Sequence, residues 1–229
     1  MQNLEAKYDK IQRMTTEGYR VEGSQYISEA WEIFKKYPGG FIGFIFITYA
    51  ITLGIGLIPM GSFANIAISP CLSIGLALVV RKIMRGEPYE FSDFFKGFNK
   101  ITELFVTNLL GGLMIILGFI CLILPGFYLA IAYAFMNYFA YFLFDGSYWN
   151  TLERGRKFVS KQWGDYFVFF LLIMLLNIAG LICFGIGLLV TVPVSMIAVF
   201  VAFEKLIGTQ DEETQSDSVM NDLYPTSNL

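Results

Sequence analysis

Glu87, Glu90 and Asp93 follow closely on Arg81, Lys82 and Arg85, and together they form the densest cluster of ionisable side chains in the chain. Carboxylates so near to cations are the groups that general acid/base catalysis at a membrane surface would use. The competing reading is a solvated loop whose cations set membrane topology, and it demands less of the residues. The chain has no histidine, so proton transfer and metal binding would rest on carboxylates alone. No catalytic residue, metal ligand or cofactor is expected. Cys71, Cys121 and Cys183 are odd in number and lack CxxC spacing, which argues against zinc and against a soluble disulfide framework. They read as small buried apolar residues, a bridged pair being the alternative.

What must position any such group is dictated by where charge is absent. The 16 basic and 19 acidic residues all fall outside three blocks, 37–80, 104–144 and 166–203. A membrane-spanning helix needs about 20 apolar residues to cross a core roughly 30 Å thick. Each block is therefore long enough for two passes, and the expected fold is an all-α membrane protein of six transmembrane helices in three hairpins. The 55% hydrophobic content and mean hydropathy of +0.58 agree. Gly/Pro clusters near each midpoint (Gly54, Gly56, Pro59 and Gly61; Gly118, Pro125 and Gly126; Gly185, Gly187 and Pro193) predict the turns. The spans fall near 41–58, 64–80, 104–123, 127–144, 166–183 and 188–203.

Orientation follows from the cations. Six precede the first block, five lie between the first and second, four between the second and third, and Lys205 follows the last. Basic residues flanking spans stay cytoplasmic, so both termini and both long loops are expected on that side, opposite three short uncharged turns. The first 40 residues mix charges of both signs without an apolar core. They are not expected to be a cleaved signal peptide, and the first span is expected to direct its own insertion. The organisation is an N-terminal cytoplasmic segment, 1–23, a six-span domain, 24–208, and an acidic tail, 209–229. Asp211, Glu212, Glu213, Asp217 and Asp222, with no basic residue, predict that the tail is disordered.

An amphipathic stretch precedes each hairpin. Tyr26, Ile27, Ala30, Trp31 and Phe34 recur at helical spacing opposite Glu29, Glu32, Lys35 and Lys36, until Pro38 ends the run. After a capping Ser92, Phe91, Phe94, Phe95, Phe98 and Ile101 share a face, with Lys96 and Lys100 nearby. Asn150 with Glu153 resembles a capping box before Leu152, Val159 and Trp163, opposed to Arg154, Lys157 and Lys161. Such helices are expected in the interface, with rings in the acyl boundary and amines near phosphates. Trp31, Lys35, Lys36, Lys96, Lys100, Arg154, Lys157, Lys161 and Trp163 are the candidate lipid contacts. The word GIGL at 54–57 and again at 185–188 suggests a triplicated unit of surface helix, span, turn and span.

Three segments carry a resemblance: EAWEIFKKYPGGFIG at 29–43, LILPGFYLA at 122–130 and RGRKFVSKQWGDYF at 154–167. From about residue 24 to 208 the layout resembles bacterial polytopic membrane proteins related to the membrane domain fused to some glycerophosphodiester phosphodiesterases. The resemblance implies a six-span bundle in the bacterial cytoplasmic (inner) membrane, connected to lipid or envelope metabolism. It does not imply phosphodiester hydrolysis, because the soluble catalytic domain with its metal-binding carboxylates and histidine has no counterpart here.

Within the blocks, Asn137, Asn177, Tyr133 and Tyr138 are the candidate intramembrane polar contacts, for an amide or phenol there needs a partner or a wet cavity. Ser69, Ser73 and Ala77 form a small-residue stripe, as do Gly39 with Gly43 and Ala130 with Ala134, and all three predict close helix packing. No acid or base lies at mid-membrane, which weighs against ion-coupled transport. The leading expectation is a non-catalytic integral membrane module binding lipid headgroups or a membrane-protein partner, including a second copy, but no nucleic acid. The alternative is a channel or facilitator for a small or lipid-like solute, whose mark would be a polar cavity among the spans.

Overall fold

A computed structural model describes residues 2–57, 61–182 and 186–208. Residues 58–60 and 183–185 of the first and third midpoint turns, Cys183 among them, and the acidic tail lie outside the described residues. Among the described residues there are helices and no strands. In order they are α1 (Gln2–Glu17), α2 (Gly23–Lys36), α3 (Pro38–Gly56), α4 (Gly61–Met84), a 3-10 segment (Phe91–Lys100), α5 (Ile101–Cys121), α6 (Ile123–Ala132), α7 (Met136–Phe142), α8 (Tyr148–Lys161), α9 (Trp163–Ile182) and α10 (Leu188–Ile207). Gly54 and Gly56 fall at the end of α3, Gly61 starts α4, and Pro193 lies inside α10 rather than at a turn. Six helical stretches, supplied by α3, α4, α5, α6 with α7, α9 and α10, are long and apolar enough to cross a membrane. The protein is an all-α membrane protein.

The spans are not equivalent. About 67% of the α10 stretch and 56% of the α4 stretch are buried inside the bundle, against 22% for α3 and 17% for α9. Consequently α4 and α10 are the central helices, and α3, α5 and α9 turn most of their side chains outward. The core runs from Leu72 to Val80 on α4 and from Val194 to Ile207 on α10, joined by Phe44, Phe135, Tyr138, Phe139 and Tyr166.

Three amphipathic helices precede the hairpins, and their apolar faces are buried against protein. On α2, Tyr26, Ala30, Ile33 and Phe34 are buried, and the helix packs on α10 and α9. The 3-10 segment lies along α4, where Gly75 and Gly97 let the two backbones meet: a Cβ on Gly75 would strike the Phe94 carbonyl, and one on Gly97 the Cys71 carbonyl. Phe94 stacks on Phe44 at 4.4 Å. Helix α8 packs against α1, α6 and α7 and buries Leu152, Phe158 and Val159. The rings expected in lipid are therefore largely in the bundle, because a helical face that suits an acyl chain suits a neighbouring span equally well.

Local boundaries depart from expectation in three places. The second hairpin turns at one extended residue, Leu122, rather than at Pro125-Gly126. Pro125 sits in the first turn of α6, where its missing N–H costs nothing, and Gly126 packs on Gly118. Helix α8 is capped by Ser147, whose hydroxyl accepts from the Asn150 N–H at 3.4 Å, so Asn150 is inside the helix and Glu153 instead pairs with Arg156 at 2.6 Å. The 3-10 segment is capped by Glu90, not Ser92.

The fourth span is also not one helix. It breaks after Ala132 and restarts at Met136, and the interrupting turn is held by i to i−3 bonds, Ala134 N–H to Ile131 O at 3.0 Å and Met136 N–H to Tyr133 O at 3.0 Å. Irregular backbone at membrane depth persists where it is buried in protein or lines a cavity. Here Tyr133 and Phe135 are buried, and Met136 and Asn137 border a cavity.

Candidate functional site

That cavity has a volume of about 580 Å³ and lies over α4, flanked by α3 and α5. Its polar lining comes from four helices: Thr48 on α3, Asn65, Ser69 and Ser73 on α4, Asn108 on α5 and Asn137 at the start of α7. Phe44, Ile66, Leu72, Met136 and Met196 supply the apolar part. Among the described residues no charged side chain contributes to this lining.

Depth can be read along the helices at about 1.5 Å per residue. From Arg81, the first charge on α4, Ser73 lies eight residues away, Ser69 twelve and Asn65 sixteen, or roughly 12, 18 and 24 Å. Against a hydrocarbon core of about 30 Å, Ser73 and Ser69 sit well inside the apolar layer, and Asn65 lies within about 6 Å of its opposite face.

Two features enrich the site in hydrogen-bonding capacity. Pro70 lies inside α4 and has no N–H to offer, so the Ile66 carbonyl loses its helical donor where both residues line the cavity. Thr48 Oγ1 and Asn65 Oδ1 are buried without a hydrogen-bond partner in the protein. An unmet buried polar atom costs about 1–3 kcal/mol, which a donor reaching either oxygen would recover. At the other wall, Asn108 Nδ2 donates to the Leu104 carbonyl at 2.8 Å and to Asn137 Oδ1 at 2.5 Å, which fixes the two amides across α5 and α7.

The intramembrane residues expected from sequence divide between this cavity and other places. Asn137 lines it. Tyr138 is buried just behind and packed on Phe200 and Phe203. Tyr133 is buried in the α6–α7 break. Asn177 belongs to a separate α9–α10 contact, donating to Ser195 Oγ at 2.7 Å, while Ser195 donates to the Thr191 carbonyl. Ser69 and Ser73 were expected to mediate close packing and instead border open volume, with Ser69 exposed; the close approach on α4 is made by Gly75. Ala77, on the same stripe, is fully buried; in the other two, Gly39 and Ala130 are open, whereas a Cβ on Gly43 would touch the Phe91 ring and Ala134 packs against the core.

Thr48, Asn65 and Asn108 were not singled out in the sequence. Each is a lone polar residue in an apolar run, and they converge only because α3 and α5 both pack on α4.

Most of the candidate lipid contacts have a partner within the chain, and Lys35, Lys96 and Lys157 stay about half exposed or more. Lys35 pairs with Glu32 at 2.8 Å, Lys96 with Asp93 at 2.5 Å and Arg154 with Asp145 at 2.8 Å over the Tyr8 ring. Lys157 reaches Glu153 at 3.6 Å. Lys100 donates to the Tyr141 carbonyl, and Lys161 to that of Thr16, both at 2.8 Å. Trp163 donates to the Tyr128 carbonyl at 3.2 Å and stacks on Phe167. Lys36 ends α2 exposed, and Trp31 is exposed beside Phe34.

The loop carboxylates have structural positions. Asp93 is buried, accepts from the Glu90 N–H at 2.9 Å, and is held by Lys82 at 2.8 Å as well as by Lys96. Glu90 completes the capping box and Glu87 lies 3.8 Å from Arg85. On α8, hydrogen bonds from Arg156 hold the Glu153 carboxyl below the usual carboxylate range.

Compared with known protein families, curated proteins and solved structures, the chain matches none.

Proposed function

We propose that this protein is a non-catalytic, multi-pass membrane protein of the bacterial inner membrane, with both termini cytoplasmic, that binds an uncharged hydrogen-bonding ligand inside the bilayer. The observation that carries this reading is the charge-free polar cavity among α3, α4, α5 and α7, with Thr48 Oγ1 and Asn65 Oδ1 left unpartnered in it. A carboxamide oxygen accepts only, so the ligand must bring a hydroxyl or N–H donor. A charged ligand would meet no counter-charge at that depth and would bear the full cost of desolvation. The cavity volume falls within the range of small-molecule sites, and the broken fourth span beside it follows a pattern of binding sites in transporters.

The carboxylates act as caps and ion-pair partners, which supports a non-catalytic role.

The reading is tested by native mass spectrometry of protein released from its own membranes. A bound neutral species is expected on the wild type, and its occupancy should fall at least about tenfold, or roughly 1.4 kcal/mol, in Asn65→Leu and Asn137→Leu. Equal occupancy in all three proteins sinks the assignment.

A further inference from the structure

The cavity has an opening, and its position constrains what reaches it. Ser69 is exposed although it lies twelve residues, about 18 Å, from Arg81 along α4. On the facing helix, Gly112 borders the cavity and lies eleven residues, about 16 Å, from Ile101 at the start of α5. A Cβ built on Gly112 would meet nothing within 4 Å. Both residues border the gap that the cavity leaves over α4, and these distances put them near the middle of a core about 30 Å thick. An opening there faces acyl chains rather than water.

The lining has a complementary asymmetry. Amide and hydroxyl groups gather at Asn65, Thr48 and Asn137, while Met136 and Met196 give an adaptable apolar wall. A molecule arriving from lipid must keep an apolar chain in the bilayer and present a neutral donor group to the amides.

Resting on the reading of the cavity as a ligand site, we infer that its ligand is an uncharged amphiphile, a hydroxyl-bearing lipid of the diacylglycerol or long-chain alcohol type, which enters laterally past Ser69 on α4 and Gly112 on α5. The head hydrogen-bonds at the Asn65 and Thr48 part of the lining, and the chain leaves past Ser69 into the bilayer. Free water-soluble polyols share the head chemistry but lack the partition into lipid that this path demands.

The experiment uses the full chain in lipid nanodiscs with a diazirine-bearing dioctanoylglycerol as probe and free glycerol as competitor. Wild type should crosslink to the probe, free glycerol should leave the yield unchanged, and Gly112→Trp should lower it at least about tenfold. Because the added ring projects into open space, Gly112→Trp is expected to keep the wild-type melting temperature. If Gly112→Trp proves unfolded, Ser69→Phe closes the gap from the opposite helix and carries the test. Crosslinking that survives a folded closing variant overturns lateral passage. Competition by free glycerol also overturns it but leaves the ligand site standing. Native mass spectrometry that finds no neutral species on the wild type, with no crosslink, overturns both.

Discussion

Arg81 and Glu204 meet at 3.2 Å although 123 residues separate them. They are the first charges after the first and third apolar blocks, so the exits of the two central helices, α4 and α10, are tied together. Glu204 is 3% exposed and Arg81 20%; Arg85 adds a second guanidinium at 3.9 Å, and Arg81 also lies over the Phe142 ring. Removing one member of a buried pair strands the other and typically costs about 3–5 kcal/mol. Glu204→Ala is expected to lower thermal stability in detergent by that order, and Arg81→Lys by less. A melting temperature unchanged in Glu204→Ala would show that the pair does not hold the helices together.

The meeting of Gly75 and Gly97 gives a sharper steric test. Either glycine replaced by alanine would put a methyl group into a facing carbonyl that belongs to rigid helical backbone. Overpacking of this kind costs about 1–3 kcal/mol, so Gly75→Ala and Gly97→Ala should each destabilise the first hairpin and its 3-10 segment. Gly112→Ala meets no atom and gains helix propensity of up to about 1 kcal/mol. Thermal unfolding of the three variants side by side checks the ordering; a Gly75→Ala protein as stable as Gly112→Ala would contradict it.

Much of this fold was legible because its signal is long. Blocks without ionisable groups give spans by length alone, and clustered cations place the loops. The α6–α7 break was not legible, since residues 133–135 contain neither glycine nor proline and the turn is imposed by packing around Tyr133 and Phe135. The cavity was half legible. Asn137 stands out as a deep amide, but Thr48, Asn65 and Asn108 are single polar residues on three helices, and only tertiary packing brings them together. Amphipathic patterning likewise gave the surface helices without saying whether protein or lipid would cover them.

Asn137 should separate ligand binding from folding. Its one described hydrogen bond, from Asn108, is of the interhelical kind worth about 0.6 kcal/mol on average. Asn137→Leu is therefore expected to change thermal stability little while emptying the cavity of ligand. If stability collapses instead, the amide pair is chiefly a structural clasp.

Acid should loosen the α8 end through Glu153. Its carboxyl accepts from Arg156 Nε at 2.7 Å and Nη2 at 2.6 Å and is held below the usual carboxylate range by those bonds. A depressed folded-state value means that the contribution is complete above the ordinary carboxylate range and is lost as pH falls through the lower, folded value. The pair is partly exposed, so the effect is modest, up to about 1 kcal/mol. Stability measured from neutral pH downward should fall less steeply in Glu153→Gln than in the wild type; parallel curves would exclude Glu153 as a source of acid sensitivity.

The sidedness proposed for the bundle can be decided at the second hairpin. Phe127 is exposed at the start of α6, five residues past the single-residue turn at Leu122 and at the end of the bundle opposite Arg81 and Glu204. If the cations are cytoplasmic, as the bias of basic residues toward that side requires, Phe127 lies near the outer surface. In a background lacking Cys71, Cys121 and Cys183, Phe127→Cys should react with an impermeant maleimide added to intact cells. A cysteine at Glu87, in the loop after α4, should react only after lysis. Reversal of the two patterns would invert the protein in the membrane; it would leave the cavity at the same depth, but α4 and α5 would then carry their charged ends to the outer leaflet, and the ligand would be drawn from lipid exposed to the other side.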